Sequence, residues 1–248
     1  MSPLESNKEY FLEYIRFEKR FSHHTNLAYS NDLAQFVKYL DTIYEIKSAD
    51  EISHVIVRSW IVSMMEQKIT SRSVNRKITT LKTFFKYLLR QSIVVENPML
   101  KIQPPKTSKR LPAFIEKETM DGLIDGKSYF DETFEGNRNK LIIELFYATG
   151  IRLSELINLK LTDVNFNLCQ IKVLGKRNKA RLVPFSPPLK ENIVKYIKTI
   201  QDLNTDFLFV DKNGKKLYEK LVYRVVSNYL SLVTTADKKS PHVLRHTF

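Results

Sequence analysis

The sequence predicts a mainly helical protein with one small β-sheet, divided into two domains. Apolar residues recur at helical spacing through residues 8–100, whereas strand-like runs occur only in the second half, on either side of Gly175. Residues 103–110 contain two prolines and three cations, a composition typical of an exposed linker. We therefore expect a helical domain at residues 1–102, a linker at 103–110 and a domain of helices and strands at 111–248.

Four helices and no strand are predicted in the first domain, over residues 8–20, 26–40, 55–67 and 73–89. In the second of them, apolar side chains fall at i, i+4, i+7 and i+8, as expected for an amphipathic helix. The fourth has the most regular apolar stripe, formed by Val74, Ile78, Leu81, Phe84, Phe85, Leu88 and Leu89. We assign these stripes to a shared hydrophobic core.

Cations of the fourth helix are predicted to lie off its apolar stripe: Arg72, Arg76, Lys77 and Lys82. They could dock the phosphates of DNA, which gives an affinity that depends on salt but not on base sequence. An ordinary solvated helix face is the alternative. Lys109 and Arg110 of the linker could lie along DNA in the same way.

The second domain is expected to begin with a helix from about Glu116, a loop from Gly126 to Gly136 and a buried helix over residues 137–148. Thr149-Gly150 ends that helix, because glycine readily adopts the backbone conformation that a helix end needs. Arg152 then stands near the start of the next helix.

Two strands are predicted at residues 169–174 and 181–185, joined by a hairpin turn at Gly175. Four further elements follow in order: a helix after Pro187-Pro188, a buried extended run at 207–210, a helix at 216–232 and a last helix capped by Ser240-Pro241. The second domain is thus expected to be mainly helical, with a small sheet.

The composition narrows the class of protein. The 248 residues carry a net charge of +13, spread over both halves, and 43% of them are hydrophobic, which is enough for packed cores. A strongly basic chain favours a polyanionic partner, although ordinary solubility charge is the alternative. The single cysteine, Cys169, excludes a disulfide framework, and no apolar run is long enough to span a membrane. We predict a soluble, cytoplasmic protein without a membrane partner.

An arginine and a glutamate form the first chemical motif. Arg152 stands on a turn between two helices, and Glu155, three residues on, can fix its guanidinium fork. A fork held in this way is suited to gripping a phosphate. The alternative is a surface ion pair that contributes little.

The second motif is the cationic hairpin turn. Lys176 directly follows Gly175 at the tip, where a flexible ammonium can swing onto a substrate. In the alternative interpretation, Lys176 and its neighbours Arg177, Lys179 and Arg181 are ordinary surface charges of a turn.

The third motif lies in the last helix, where His242 and Arg245 stand at i and i+3. The free N–H groups of a first helical turn favour an anion beside them. His246 is an i+4 neighbour of His242, but a pair of histidines with no third ligand gives little support for a metal site, and we expect none.

Taken in order, Arg152, Lys176 and His242-x-x-Arg245 closely resemble the active-site set of the tyrosine recombinase (phage integrase) family, and within it the bacterial Xer-type recombinases. The resemblance covers most of the chain, since residues 8–100 look like that family's N-terminal SAM-like domain, which clamps DNA. It implies that residues 111–248 form the α+β catalytic domain of a tyrosine recombinase.

The resemblance also implies a reaction, strand cleavage and rejoining through a 3′-phosphotyrosyl intermediate. Arg152 and Arg245 would hold the non-bridging phosphate oxygens, Lys176 would protonate the leaving 5′ oxygen, and His242 would accept a proton or donate to the phosphate. Glu155 would orient its neighbours, and Arg177 and Lys179 would contact DNA. No metal or other cofactor is implied. The expected partners are double-stranded DNA and, when the protein is full length, further recombinase protomers in a tetramer on DNA.

The chain departs from the family pattern at one place. The family's nucleophilic tyrosine lies well beyond the second arginine, whereas this sequence ends at Phe248, three residues after Arg245. We expect a catalytic domain incomplete at its C-terminus, which binds DNA as a monomer without cutting it. A non-catalytic DNA-binding protein on the same scaffold is the alternative; a basic helical transcription regulator is a third, in which the Lys176 hairpin has no role. The sequence leaves open whether the role is chromosome dimer resolution or mobile-element integration.

Overall fold

The computed structural model describes residues 2–108, 114–126, 129–175 and 179–247, with only the backbone described at 246 and 247. The chain divides into two compact units, Met1–Lys109 and Arg110–Phe248, and the division falls within the segment 103–110. The predicted fold class is confirmed, because the described residues are mainly helical and contain one small antiparallel sheet.

The first unit contains the four predicted helices, α1 (Pro3–Glu13), α2 (His23–Tyr44), α3 (His54–Glu66) and α4 (Ser71–Arg90). A π-helical turn at Tyr14–Glu18 extends α1, and a 3-10 turn at Pro98–Lys101 follows α4. The described part of this unit contains no strand. Over all the ranges described, no helix is both long and apolar enough to cross a membrane.

These four helices begin earlier than the apolar pattern predicts, because hydroxyl side chains cap them. Each cap side chain accepts a hydrogen bond from the backbone N–H three residues on; the caps are Ser2, Ser22, Ser53 and Thr70. Such caps satisfy N–H groups that have no partner inside the helix, so they extend it beyond its apolar stripe.

The core of the first unit is built mainly on α4. Its predicted stripe is buried except for Leu89, which is exposed in the last turn. The Phe84 ring lies 5.3 Å from that of Phe11 and 5.6 Å from that of Phe85, measured between centroids. The aromatic stripe therefore serves packing, as the sequence indicates.

The second unit has six helices and three strands among its described residues. The helices are α5 (Lys117–Asp125), α6 (Phe134–Thr149), α7 (Leu153–Ile157), α8 (Pro187–Ile200), α9 (Glu219–Val233) and α10 (Pro241–Thr247), and the strands are β1 (Val164–Asn165), β2 (Gln170–Leu174) and β3 (Ala180–Pro184). The antiparallel sheet has the order β1-β2-β3. Ile171 pairs with Val164 on one side and Val183 on the other, and all three are buried in the core.

Helix α6 begins three residues before its predicted start. Thr133 caps it by accepting a hydrogen bond from the Gly136 N–H at 3.1 Å, so Gly136 lies in the first turn rather than in a loop. A Cβ at this position would fall 1.9 Å from Oδ1 of Asp131. Glycine is therefore required by close packing here, a reason that the sequence pattern does not show.

Two other elements differ from the prediction. Helix α9 begins at Glu219 rather than at 216, because Lys216 pairs with Val210 in an isolated antiparallel bridge and is held extended. Strand β1 was not predicted, since two residues are too few to show the alternation of a strand.

Candidate active site

The turn between α6 and α7 places the first candidate arginine. Gly150 ends α6 in the left-handed conformation, with φ of 56°, and its N–H donates to the carbonyl oxygen of Phe146. Arg152 is the N-cap of α7, and its backbone N–H donates to Oε2 of Glu155 at 2.7 Å. The predicted helix end, the turn and the Arg152–Glu155 pair are all present.

Glu155 is the buried centre of this arrangement, with 5% of its surface exposed. Besides the Arg152 N–H, it binds Nη1 of Arg152 at 2.8 Å and both terminal nitrogens of Arg181, at 2.6 and 2.9 Å. Burial by itself raises the pKa of Glu155, but the hydrogen bonds from Arg181 and from Arg152 outweigh it and lower the pKa to about 2. The carboxylate is therefore charged throughout the physiological range.

The hairpin of β2 and β3 brings Arg181 to Glu155. Arg181 pairs with Val173 of β2, and below the tip the Gly175 N–H donates to the carbonyl oxygen of Lys179 at 2.8 Å. Lys179 is exposed at the base of the turn. The candidates Lys176 and Arg177 lie outside the described residues.

Helix α10 places the other two candidates. It starts at Pro241 as predicted, with the N–H of Val243 donating to the carbonyl oxygen of Ser240 at 2.9 Å. Nη1 of Arg245 donates to the carbonyl oxygen of Gly150, on the turn that carries Arg152. Both candidate arginines therefore meet at one turn of the backbone.

Arg152, His242 and Arg245 line one open cavity of about 430 Å³. A larger cavity of about 740 Å³ lies in the first unit, but carboxylates of Asp50, Glu51 and Glu96 line it and no arginine does. We call the smaller cavity, which both candidate arginines line, the arginine pocket.

Two residues that line the arginine pocket are not identified as site residues by the sequence pattern. Glu219 and Tyr223, one helical turn apart on α9, also line it. Tyr223 is 47% exposed, whereas the ring of Tyr229 on the same helix stacks on Phe130 with 4.4 Å between centroids. Helical spacing shows that Glu219 and Tyr223 share a face, but not what that face adjoins.

In the first unit, the structure corrects the prediction that Lys77 contacts DNA. Its ammonium donates to Oδ1 of Asp32 at 3.0 Å and to Oε1 of Gln35 at 2.6 Å, and only 5% of the residue is exposed. Thr80 also donates to Asp32, at 2.9 Å. Lys77 therefore belongs to a buried polar cluster between α2 and α4 and is withheld from phosphates.

The other cations of α4 are exposed. Nη1 of Arg76 forms an ion pair with Oδ2 of Asp32, and the Arg76 side chain remains 47% exposed. Arg72 lies one turn before Arg76, whereas Lys82 projects about 120° round the helix from Arg76, at roughly 100° per residue. Lys82 therefore faces a different direction from Arg72 and Arg76. Lys109 and Arg110 lie outside the described residues.

Comparison with known proteins agrees with the family resemblance and with the two-part organisation of the chain. Residues 114–248 match the model of the phage integrase family, and residues 9–92 match that of the phage integrase N-terminal SAM-like domain. The chain is 34% identical to the tyrosine recombinase XerC of Anoxybacillus flavithermus over 245 residues, which cover 96% of this chain and 81% of that protein. It is 35% identical to XerC of Staphylococcus epidermidis over 248 residues, 99% of this chain and 82% of that protein.

Solved structures share the fold at lower identity. The Tn1549 transposon integrase in complex with transposon right-end DNA aligns with a TM-score of 0.76 and 20% identity, over 100% of this chain and 85% of that one. A lambda integrase dimer bound to a COC′ core site aligns with a TM-score of 0.75 and 14% identity, over 100% and 88%. With its catalytic-domain match covering more than half of its residues, this chain belongs to the phage integrase family of tyrosine recombinases.

Proposed function

We propose that this chain binds duplex DNA in the cytoplasm as part of an Xer-type site-specific recombinase, with the arginine pocket holding the phosphate that is cut. The observation that carries the proposal is the meeting of Arg152 and Arg245 at the Gly150 turn, with His242 lining the same cavity. Two guanidinium groups that line one cavity match the charge of a phosphate undergoing substitution.

The electrostatics of the pocket support this role. Glu155 holds one nitrogen of Arg152, and half of the Arg152 side chain is exposed, so the rest of its fork can reach a ligand. A carboxylate with a pKa of about 2 stays charged and keeps the arginine oriented at any physiological pH. Arg245 is oriented by a carbonyl oxygen, which leaves its charge uncompensated by that contact.

Proton transfer falls to two other residues in this proposal. Lys176 gives a proton to the leaving 5′ oxygen, and His242 accepts a proton or donates a hydrogen bond to the phosphate. Both roles rest on the family resemblance, with the placement of His242 in the arginine pocket as additional support.

We further propose that no tyrosine of the described residues is positioned as the nucleophile. Covalent cleavage needs a hydroxyl held in line with the phosphate, and correct placement contributes roughly 7–11 kcal/mol to lowering such a barrier. Tyr223 is the residue to test, because it lines the arginine pocket. It lies before His242 and Arg245 in the chain, whereas the family's nucleophile follows them.

The test uses duplexes selected for binding from a random pool and then nicked, so that a cleaved strand cannot be rejoined. The 248-residue chain should bind without forming a covalent adduct, and the chain read through to the stop codon of its coding sequence should form one that Arg152→Ala abolishes. An adduct from the 248-residue chain that disappears in Tyr223→Phe would identify Tyr223 as the nucleophile instead. Binding without an adduct from either form would favour a non-catalytic DNA-binding protein.

A further inference from the structure

Arg181 makes the most complete ion pair of the second unit's described residues. From β3 its two terminal nitrogens bind the two oxygens of Glu155, at 2.6 and 2.9 Å. A two-point pair of this kind fixes direction as well as distance, which a single ammonium does not. The partner carboxylate is buried, so solvent screens the interaction weakly.

The same carboxylate holds Arg152. Oε1 of Glu155 accepts from Nη1 of both arginines, at 2.8 Å from Arg152 and 2.6 Å from Arg181. Oε2 accepts from the Arg152 backbone N–H and from Arg181. Arg181 thus supplies two of the four hydrogen bonds that fix the carboxylate on which Arg152 rests.

The hairpin turn packs on this ion pair. A Cβ built on Gly175 would lie 3.5 Å from Nη1 of Arg181 and 3.8 Å from Oε1 of Glu155. Gly175, the residue before Lys176, therefore lies beside the ion pair that orients Arg152. A displacement of Arg181 would disturb Glu155 and, through Glu155, the orientation of Arg152.

We propose that Arg181 is a positioning residue for phosphate binding: by gripping Glu155 from the hairpin, it holds Arg152 in the orientation that the arginine pocket requires. The proposal rests on the proposed function, since it assigns Arg152 to the phosphate. Arg181 itself acts through Glu155 and does not contact the phosphate.

The first measurement needs no ligand. In a chain labelled with isotopic arginine, the guanidinium NMR signals of Arg152, assigned from their loss in Arg152→Lys, report how fast its fork rotates. Arg181→Gln should speed that rotation by about tenfold, with Arg181→Lys in between, since lysine keeps the charge but loses the two-point grip. Lys172→Gln removes an exposed cation from the same hairpin and should change nothing. Unchanged Arg152 signals in both Arg181 variants would overturn the proposal.

The second measurement titrates inorganic phosphate against the Arg152 signals. Arg181→Gln should weaken phosphate binding by about tenfold, because Arg152 would no longer present its fork in one fixed direction. In a Glu155→Gln background, Arg181→Gln should cause no further loss, because residues that act through one another are not additive. Additive losses would overturn the proposal, since Arg181 would then act by its own charge.

The two measurements separate this inference from the proposed function. If the unchanged chain bound no phosphate at Arg152, the proposed function would be at fault, and the ligand-free rotation would still decide the role of Arg181. Equal melting temperatures for Lys172→Gln and the Arg181 variants would show that the changes come from the site. If Arg181→Gln fails to fold, the rotation rate and phosphate affinity of Arg181→Lys alone test the role of Arg181, because lysine keeps a cation beside the buried carboxylate.

Discussion

Arg245 donates a hydrogen bond from Nη1 to the carbonyl oxygen of Gly150, which lies 95 residues earlier in the chain. Gly150 ends α6 in a left-handed conformation, and its carbonyl oxygen lies past the helix end. The contact satisfies that oxygen and ties α10 to the turn that carries Arg152. A residue proposed to bind phosphate therefore also holds its own helix in place.

Replacing Arg245 with alanine should loosen α10. Loss of one hydrogen bond costs about 1 kcal/mol, which corresponds to amide exchange in α10 that is about fivefold faster. Hydrogen exchange followed by mass spectrometry measures this directly. Lys238→Ala, at an exposed position just before the helix, is the control and should leave exchange unchanged. Equal protection of α10 in both variants would contradict a tethering role for Arg245.

Asp32→Ala should destabilise the first unit by about 3–5 kcal/mol, because it leaves the Lys77 ammonium buried without its carboxylate. Chemical denaturation of the chain measures the effect. Asp41→Ala is the matched control: its partner Lys47 is exposed, so the loss should stay below about 1 kcal/mol. The double change Asp32→Leu with Lys77→Met should recover most of the loss. Similar costs for Asp32→Ala and Asp41→Ala would show that burial of the pair does not matter.

The salt dependence of duplex binding should identify the DNA-facing side of α4. Arg72 and Arg76 are exposed one turn apart, so changing both to alanine should reduce the slope of log affinity against log salt by about 0.9 for each phosphate that is no longer neutralised. Lys82→Ala should reduce it less, since Lys82 points elsewhere. Lys38→Ala on α2 is the control that matches Lys82→Ala in charge. Fluorescence anisotropy at several salt concentrations gives the slopes, and a larger effect from Lys82 would place DNA on the Lys82 side of α4.

Acid should weaken the second unit through Glu155. The pKa of Glu155 is lowered from 4.5 to about 2 in the folded chain, so the unfolded chain takes up its proton first as the pH falls. The stabilisation from Glu155 is therefore complete above pH 4.5 and is lost as the pH falls toward 2. Thermal melts between these values should show a decline that Glu155→Gln flattens. A decline of equal steepness in Glu155→Gln would assign the acid sensitivity to other carboxylates.

Local signals in the sequence were enough for much of the fold and part of the site. A glycine after an apolar helix, a glutamate three residues after Arg152 and a Ser-Pro pair before His242 each act within one helical turn, so the pattern reveals them. The caps explain why helices began earlier than expected, since a hydroxyl cap is independent of the apolar stripe.

Contacts between distant residues could not be predicted in the same way. The sequence predicts that Lys77 contacts DNA because a lysine beside an apolar stripe is normally solvated. Its burial depends on Asp32 and Gln35, which lie 45 and 42 residues away in the sequence. The grip of Arg181 on Glu155 spans 26 residues and depends on the pairing of β2 with β3. The position of Tyr223 in the arginine pocket depends on how α9 packs, which helical periodicity does not determine.

The buried pair of Asp32 and Lys77 constrains how this sequence can evolve. Either residue without its partner destabilises the fold, because a single substitution leaves one charge without compensation inside the core. A lineage can exchange the pair for apolar residues only by two changes, with a less stable protein between them. Positions 32 and 77 should therefore vary together among related chains, both ionic or both apolar, whereas the exposed pair of Asp41 and Lys47 is under no such constraint.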